Sequence, residues 1–267
     1  MHWQAATETS LRDLIAHPRV GLISDFDGTL SPIVNDPQRA SISPHKRELL
    51  ATIAAYLPLV ALISGRGVAD LQRRVEVPNL VYVGNHGLER WVNGNVVLEP
   101  EAEAHRESLQ TLQRIVRLPA GMEWEDKSAT LAIHYRSAND PPSAAEAFWP
   151  RLQEATAKLG LRANQGRMIF EIKPPVDIDK GTSLTRLAQD YNLGAVIVMG
   201  DDVTDVDAMR AAQNLRDEGR CAALNLGVRS PEMAQEVRDH SDLFLSDTDD
   251  VEDFLAWLLD AISRRAS

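Results

Sequence analysis

The chain of 267 residues is long enough for one large domain or two modest ones around a buried core. A net charge of −11 without any Lys/Arg run excludes a nucleic-acid partner, because neutralising phosphates requires a basic face. Cys221 is the single cysteine, no apolar run approaches the roughly 20 residues of a membrane span, and the first twenty residues lack a signal-peptide core, so a cytoplasmic protein without a membrane partner is expected.

Short apolar runs at 20–24, 59–63 and 80–83 read as buried strands rich in Val, Ile and Leu. Between the first two, Leu49, Leu50, Ile53, Ala54 and Leu57 recur at helical spacing, with Ser43 as N-cap and Pro44 in the first turn. Strand, helix, strand, helix, strand predicts a parallel sheet with right-handed crossovers. Asn93-Gly94 predicts a hairpin within 89–98. The pattern then changes to a helix over about 101–117, strands near 122–125 and 129–135, a helix over 143–159, and strands at 161–163 and 168–172. That is one αββ unit followed by another, which favours a small antiparallel sheet with helices on one face. Pro100 and Pro174-Pro175 mark hinges on either side of it. Alternation resumes with helix 181–191, strand 195–199, helix 205–212, strand 222–226, helix 230–239, strand 243–245 and a closing helix over 250–264. Val251, Phe254, Leu255, Leu258, Leu259 and Ile262 give that last helix one apolar stripe for packing on the sheet. The expected fold class is α/β: a Rossmannoid core with a mainly parallel sheet over 1–100 and 177–267, and a smaller α+β cap, αββαββ, over 101–176.

Four polar clusters interrupt this pattern: Asp25-Phe26-Asp27-Gly28-Thr29, Ser64-Gly65-Arg66, Asp179-Lys180-Gly181, and 200–205, Gly-Asp-Asp-Val-Thr-Asp. Three follow predicted strands directly, where open α/β sheets bind ligands. Asp25 and Asp27, two apart, can share one small volume as the chain leaves the sheet; one carboxylate can attack phosphorus while the other handles the leaving-group proton. Gly28 permits a close turn, and the Gly28 and Thr29 amides can face an anion. A solvated acidic turn is the bland alternative. Asp201, Asp202 and Asp205 crowd three carboxylates into five residues, a self-repelling cluster suited to a hard cation, Mg²⁺ above all. Asp205 equally fits an acidic helix N-terminus, favoured by the macrodipole. Ser64 offers a hydroxyl and Lys180 a point charge for phosphoryl oxygens, though singly they read as an N-cap and a surface lysine. Glu125 with Lys127, and His134 with Arg136, share strand faces in the insert, and Glu171 adds a further acid. They form either a solvated sheet face or a polar lid that binds sugar hydroxyls.

DFDGTL, ISGR, DKG and GDDVTD resemble the four motifs of the haloacid dehalogenase superfamily, and a cap between the second and third resembles its αββ-repeat subgroup. GNHG at 84–87, the Glu-x-Lys of WEDK, LAIHYR and EIKP make the chain most similar to the trehalose-6-phosphate phosphatase family. The resemblance implies Asp25 as nucleophile and Mg²⁺ ligand, and Asp27 as general acid then base that also lends its backbone carbonyl to the metal. It implies Asp201 as principal metal carboxylate, Asp202 and Asp205 as its support, and Ser64 and Lys180 as phosphate-binding groups. Glu125, Lys127 and Glu171 match sugar-binding positions, and the resemblance extends substrate contacts to Arg66, Asn85, His86, His134 and Arg136. A monomer, with substrate between core and cap and functional coupling to a trehalose-6-phosphate synthase, is the expectation. One departure is Val206, where family members often carry Glu, which bears on Mg²⁺ affinity. Rival activities are phosphatases of sucrose phosphate or mannosyl-phosphoglycerate, a phosphomutase, and an inactive regulatory homologue; intact Asp25, Asp27, Lys180 and Asp201 argue against the last.

Overall fold

In the computed structural model, which describes residues 1–34, 36–166, 168–231 and 233–266, the chain opens with a 3₁₀ turn, Trp3–Ala6, and α1 (Ser10–Ile15). There follow β1 (Val20–Ser24), α2 (Pro44–Tyr56), β2 (Leu59–Ile63), α3 (Val68–Val75), β3 (Val81–Gly84), β4 (Glu89–Val92) and β5 (Asn95–Leu98). Next come α4 (Pro100–Glu103), α5 (Arg106–Ile115), β6 (Glu123–Asp126), β7 (Leu131–His134), α6 (Pro141–Lys158), β8 (Arg162–Gly166) and β9 (Ile169–Lys173). The chain ends with α7 (Lys180–Asp190), β10 (Ala195–Gly200), α8 (Asp205–Asp217), β11 (Ala222–Val228), α9 (Gln235–His240), β12 (Leu243–Leu245) and α10 (Thr248–Ala266). Two compact units result, Met1–Gly94 with Ile178–Ser267, and Asn95–Asp177.

In the first unit the strands pair in the order β12-β11-β10-β1-β2-β3-β4, parallel except for the antiparallel β3–β4 edge. Both faces are covered, which explains why β1, β2 and β10 are continuous apolar runs, buried at every residue. Alternate side chains serve two cores: Leu22, Val60 and Ile197 pack with α1, α2, α3 and α10, whereas Ile23, Ala61 and Val198 pack with α7, α8 and α9. Each fully buried Leu or Ile contributes about 1.5–3 kcal/mol. Ser43 caps α2 as its composition predicts, accepting the Lys46 amide at 3.0 Å with Pro44 in the first turn. The α10 stripe is buried at Val251, Phe254, Leu255, Leu258 and Ile262. Trp3 meets Phe254 edge-on at 5.3 Å and donates from Nε1 to Asp250 at 2.8 Å. The chain reverses side at β1: it winds through β2 and β3 in one direction and β10 to β12 in the other, so β1 lies at a topological switch point.

The second unit carries an antiparallel sheet in the order β6-β7-β9-β8. Leu131, Ile133, Phe170 and Ile172 form its core with Leu109 and Leu112 of α5 and Phe148 and Leu152 of α6. Register sets Glu125, Ala132, Glu171 and Asn164 level across the four strands. They alternate with that apolar set and therefore share the opposite face.

Several local expectations are corrected. The single helix over 101–117 is two, broken at His105, whose amide donates to the Ala102 carbonyl at 3.1 Å and whose φ of −105° and ψ of 3° leave the helical region. The helix expected over 230–239 starts only at Gln235, and Glu232 lies outside the described residues. Lys127 and Arg136 fall beyond the ends of β6 and β7. The Lys127 amide instead donates to the Thr130 carbonyl at 3.0 Å, and Ser128 takes φ 69°, which closes a turn. Asn93 and Gly94 adopt φ 51° and 82°, the left-handed pair an Asn-Gly turn demands.

Candidate active site

β1, β2 and β10 end together: Ser24 is level with Met199 and with Leu62, and the Asp25 amide adds one more rung to the Met199 carbonyl at 3.0 Å. The register thus delivers Asp25, Ser64 and Asp201 to one rim of the first unit's sheet. Gly28 has φ 77°, and a Cβ there would sit 2.0 Å from Asp201 Oδ2, so only glycine permits this approach. The Gly28 amide does not face an anion as expected; it donates to the Ser31 carbonyl at 2.7 Å, closing the turn. Lys46, which is buried, supports the same loop by donating from Nζ to the Leu30 carbonyl at 3.1 Å.

Lys180, only 3% exposed, donates from Nζ to Asp25 Oδ1 at 2.7 Å and to Asp205 Oδ1 at 2.6 Å. The other Asp205 oxygen accepts the Asp201 and Asp202 amides, both at 3.0 Å. Asp205 is therefore fully used in ordering the loop and seating the lysine. The Asp202 side chain is exposed, while Asp201 is buried and accepts the Thr29 hydroxyl at 3.2 Å. Burial pushes Asp25 up to about 7, against the pull of Lys180, and Asp205 adds to the rise. Burial, then Asp25, Asp205 and Asp202, push Asp201 up to about 8. The attraction of the two carboxylates and burial oppose each other at Lys180, and the carboxylates win, raising its pKa.

Oxygen atoms of Asp25, Asp201 and Asp205 lie within 4.8 Å of one another. When ionised, these three carboxylates outnumber the Lys180 ammonium by two charges in a buried volume, a deficit that suits an oxygen-seeking divalent cation. Asp25 and Asp201 retain coordination capacity for one. Val206 faces the apolar core, 3% exposed, rather than this cluster.

Asp27 is half-exposed and held in a two-pronged ion pair by Arg66, whose Nε and Nη2 each donate to a separate oxygen at 2.6 Å. Arg66, expected among substrate contacts, is therefore engaged with the second aspartate. Ser64 is buried and its hydroxyl accepts the Arg66 amide at 3.3 Å. The adjoining loop is tied to it: the Asn85 amide donates to the Arg66 carbonyl at 2.8 Å and the His86 amide to the Ser64 carbonyl at 2.9 Å. A Cβ at Gly65 would lie 2.6 Å from His86 Nε2. Asn85 and His86 both take left-handed φ, 50° and 57°. Glu89, buried, accepts the Val68 amide and a hydrogen bond from the Asn85 side chain. Asp70, Lys46 and Glu89 escaped the sequence reading; for Asp70 the signal was present, as four-residue spacing from Arg66 and to Arg74.

In the second unit His134 Nε2 and Glu125 Oε2 are 2.7 Å apart, and Lys127 Nζ approaches the same oxygen at 3.8 Å. Glu171 is exposed in the row with Glu125. Arg136 is exposed in the turn after β7 and outside that strand-face row.

A mainly parallel sheet with an acid-rich rim at the switch point defines an α/β fold. A family model described as Trehalose-phosphatase matches residues 23–242, and the chain belongs to that family. It is 35% identical over 211 residues to a trehalose-phosphate phosphatase of Mycobacterium marinum, covering 74% of this chain and 53% of that protein. The match thus spans about half the length of that protein and of its Mycobacterium ulcerans counterpart. Among solved structures, a trehalose-6-phosphate phosphatase related protein superposes with a TM-score of 0.71 at 20% identity, covering 92% of this chain and 100% of that one. The C-terminal domain of C. albicans trehalose-6-phosphate phosphatase gives 0.67 at 22% identity, covering 93% and 96%.

Proposed function

We propose that the chain is a Mg²⁺-dependent phosphatase that hydrolyses trehalose 6-phosphate through a phospho-aspartyl intermediate on Asp25. The observation that carries the reading is the buried Asp25–Lys180–Asp205 cluster beside Asp201, in a chain of the Trehalose-phosphatase family. Lys180 keeps the Asp25 carboxylate oriented and its charge available for attack on phosphorus. As that Asp25 oxygen bonds to phosphorus, the bond from phosphorus to the sugar oxygen breaks, and Asp27 gives that oxygen its proton. Asp27 then takes a proton from water, whose oxygen attacks phosphorus and expels the restored Asp25 carboxylate. Water is consumed; sugar and inorganic phosphate leave. Mg²⁺ held by Asp25, Asp201 and the Asp27 carbonyl would supply charge neutralisation for the phosphoryl group. Ser64 and Lys180 add a hydroxyl and a cation for phosphoryl oxygens. Glu125, Lys127, His134 and Glu171 present polar groups suited to sugar hydroxyls. Asp25→Asn tests the nucleophile, because the amide is nearly isosteric but does not attack phosphorus. The variant should fold and lose turnover; wild-type turnover by purified variant would refute the assignment.

A further inference from the structure

Arg66, Asp70 and Arg74 recur at four-residue spacing into and along α3, whose N-cap is Gly67. Asp70 and Arg74 stack on one helix face, with Asp70 in the acid-favouring first turn, and Arg66 meets them from just before the N-cap. Arg66 Nη1 donates to Asp70 Oδ2 at 3.0 Å, while its Nε and Nη2 hold Asp27. Arg74 Nε donates to the same Asp70 oxygen at 2.7 Å, and its Nη1 reaches the Gln38 and Ala40 carbonyls, both at 2.8 Å. The Arg66 guanidinium also lies over the Phe26 ring, 5.4 Å from its centre. An unbroken line of contacts therefore runs from the Gln38 and Ala40 backbone through Arg74, Asp70 and Arg66 to Asp27.

Surface ion pairs of this spacing ordinarily do little, because water screens them and free rotation opposes them. Here the Arg66 and Arg74 side chains are each only 14% exposed, and each grips more than one acceptor. The carboxylate at the end of the line is the exposed member, at 40%. Burial works against the charge on Arg66, but hydrogen bonds to Asp27 and Asp70 hold its pKa above the ordinary value. Burial likewise opposes ionisation of Asp70, and Arg74 and Arg66 overcome it. A guanidinium fixed on one side by Asp70 presents its remaining edge to Asp27 in one orientation.

We infer that Asp70 is a positioning residue for the phosphatase reaction, aiming the Asp27 carboxyl at the leaving oxygen by locking Arg66. The inference rests on the reading of Asp27 as acid and base. Loosening a proton-transfer group without removing it should cost about tenfold, well below the 10²–10⁴-fold worth of general acid–base catalysis.

The test is a double-mutant cycle on Asp27→Asn and Asp70→Asn, with Arg74→Gln as a milder break in the same line. kcat and KM are measured on trehalose 6-phosphate, whose alkoxide leaving group needs a proton, and the burst rate on 2,4-dinitrophenyl phosphate, whose phenolate does not. Asp70→Asn should lower kcat on the sugar phosphate about tenfold with KM little changed, spare the dinitrophenyl burst, and cost nothing further in the Asp27→Asn background. Arg74→Gln should show a smaller loss with the same non-additivity, and Asp70→Glu should recover most of the rate. An equal loss from Asp70→Asn in both backgrounds, or an equal loss on both substrates, would overturn the inference. No loss from Asp70→Asn beside a hundredfold or greater loss from Asp27→Asn would overturn it while leaving Asp27 its role. Wild-type rates in Asp27→Asn would overturn both.

Discussion

Replacing Lys180 with Met keeps most of the buried stem and deletes the charge, which isolates what the ammonium does. Lys180 is the cation between Asp25 and Asp205, at 2.7 and 2.6 Å, and its side chain is 4% exposed. Removing one member of a buried ion pair typically costs about 3–5 kcal/mol, because the remaining charge has neither water nor partner. The size of the loss should depend on pH. Without metal, Asp25 and Asp201 are pushed up to about 7 and about 8, so both are protonated in the folded state at pH 5. Acids raised in this way make the folded state bind protons more tightly, so stability is lost as pH rises from the ordinary 3.8 through 7 and 8. At pH 8.5 the folded variant must bury carboxylates without their ammonium, and its deficit should reach the full range of about 3–5 kcal/mol. At pH 5 less negative charge awaits balance, and the deficit should shrink by at least about 1 kcal/mol. Urea unfolding of both proteins in chelator at the two pH values measures this directly. A deficit below about 1 kcal/mol at pH 8.5, or an equal deficit at both pH values, would refute the reasoning.

Glu89 offers a second pH test away from the acid cluster. Burial pushes it up to about 7 from 4.5, against hydrogen bonds from Val68 and Asn85. Its raised pKa means stability falls as pH climbs between those values, by on the order of 3 kcal/mol at most. Glu89→Gln should flatten that decline in urea midpoints, and curves parallel to wild type would count against it. In the second unit, Glu171→Ala should lower kcat/KM for trehalose 6-phosphate about 10- to 150-fold, the worth of one hydrogen bond to a charged group. p-Nitrophenyl phosphate should be far less affected, and equal losses on the two substrates would remove Glu171 from sugar recognition.

The strands were legible because burial on both faces turns them into short apolar runs, and β2 and β12 match their expected bounds outright. α1 and the Trp3 turn were not, since Trp3 gains its place from Phe254, Trp257 and Asp250, more than two hundred residues away. The start of α9 is not legible, because Val237 is its one buried residue, too little periodicity to fix an end. At the rim, residue types and spacing announced Asp25, Lys180 and Asp201 as a group. They did not announce how the acids divide. Asp205 is consumed by Lys180 and two amides, and Asp27 is drawn toward Arg66, and both facts depend on side-chain directions that no spacing encodes. Lys127 and Arg136 were misplaced for a related reason: strand alternation continues on paper after the chain has turned.

Phosphate release from trehalose 6-phosphate by the purified protein tests the central claim most directly, with glucose 6-phosphate, sucrose 6-phosphate and mannosyl-phosphoglycerate assayed alongside. Turnover that requires Mg²⁺, stops on chelation, returns on adding the ion back, and favours trehalose 6-phosphate over the others is the predicted result. No release from trehalose 6-phosphate, or undiminished release after the metal has been stripped, would contradict it.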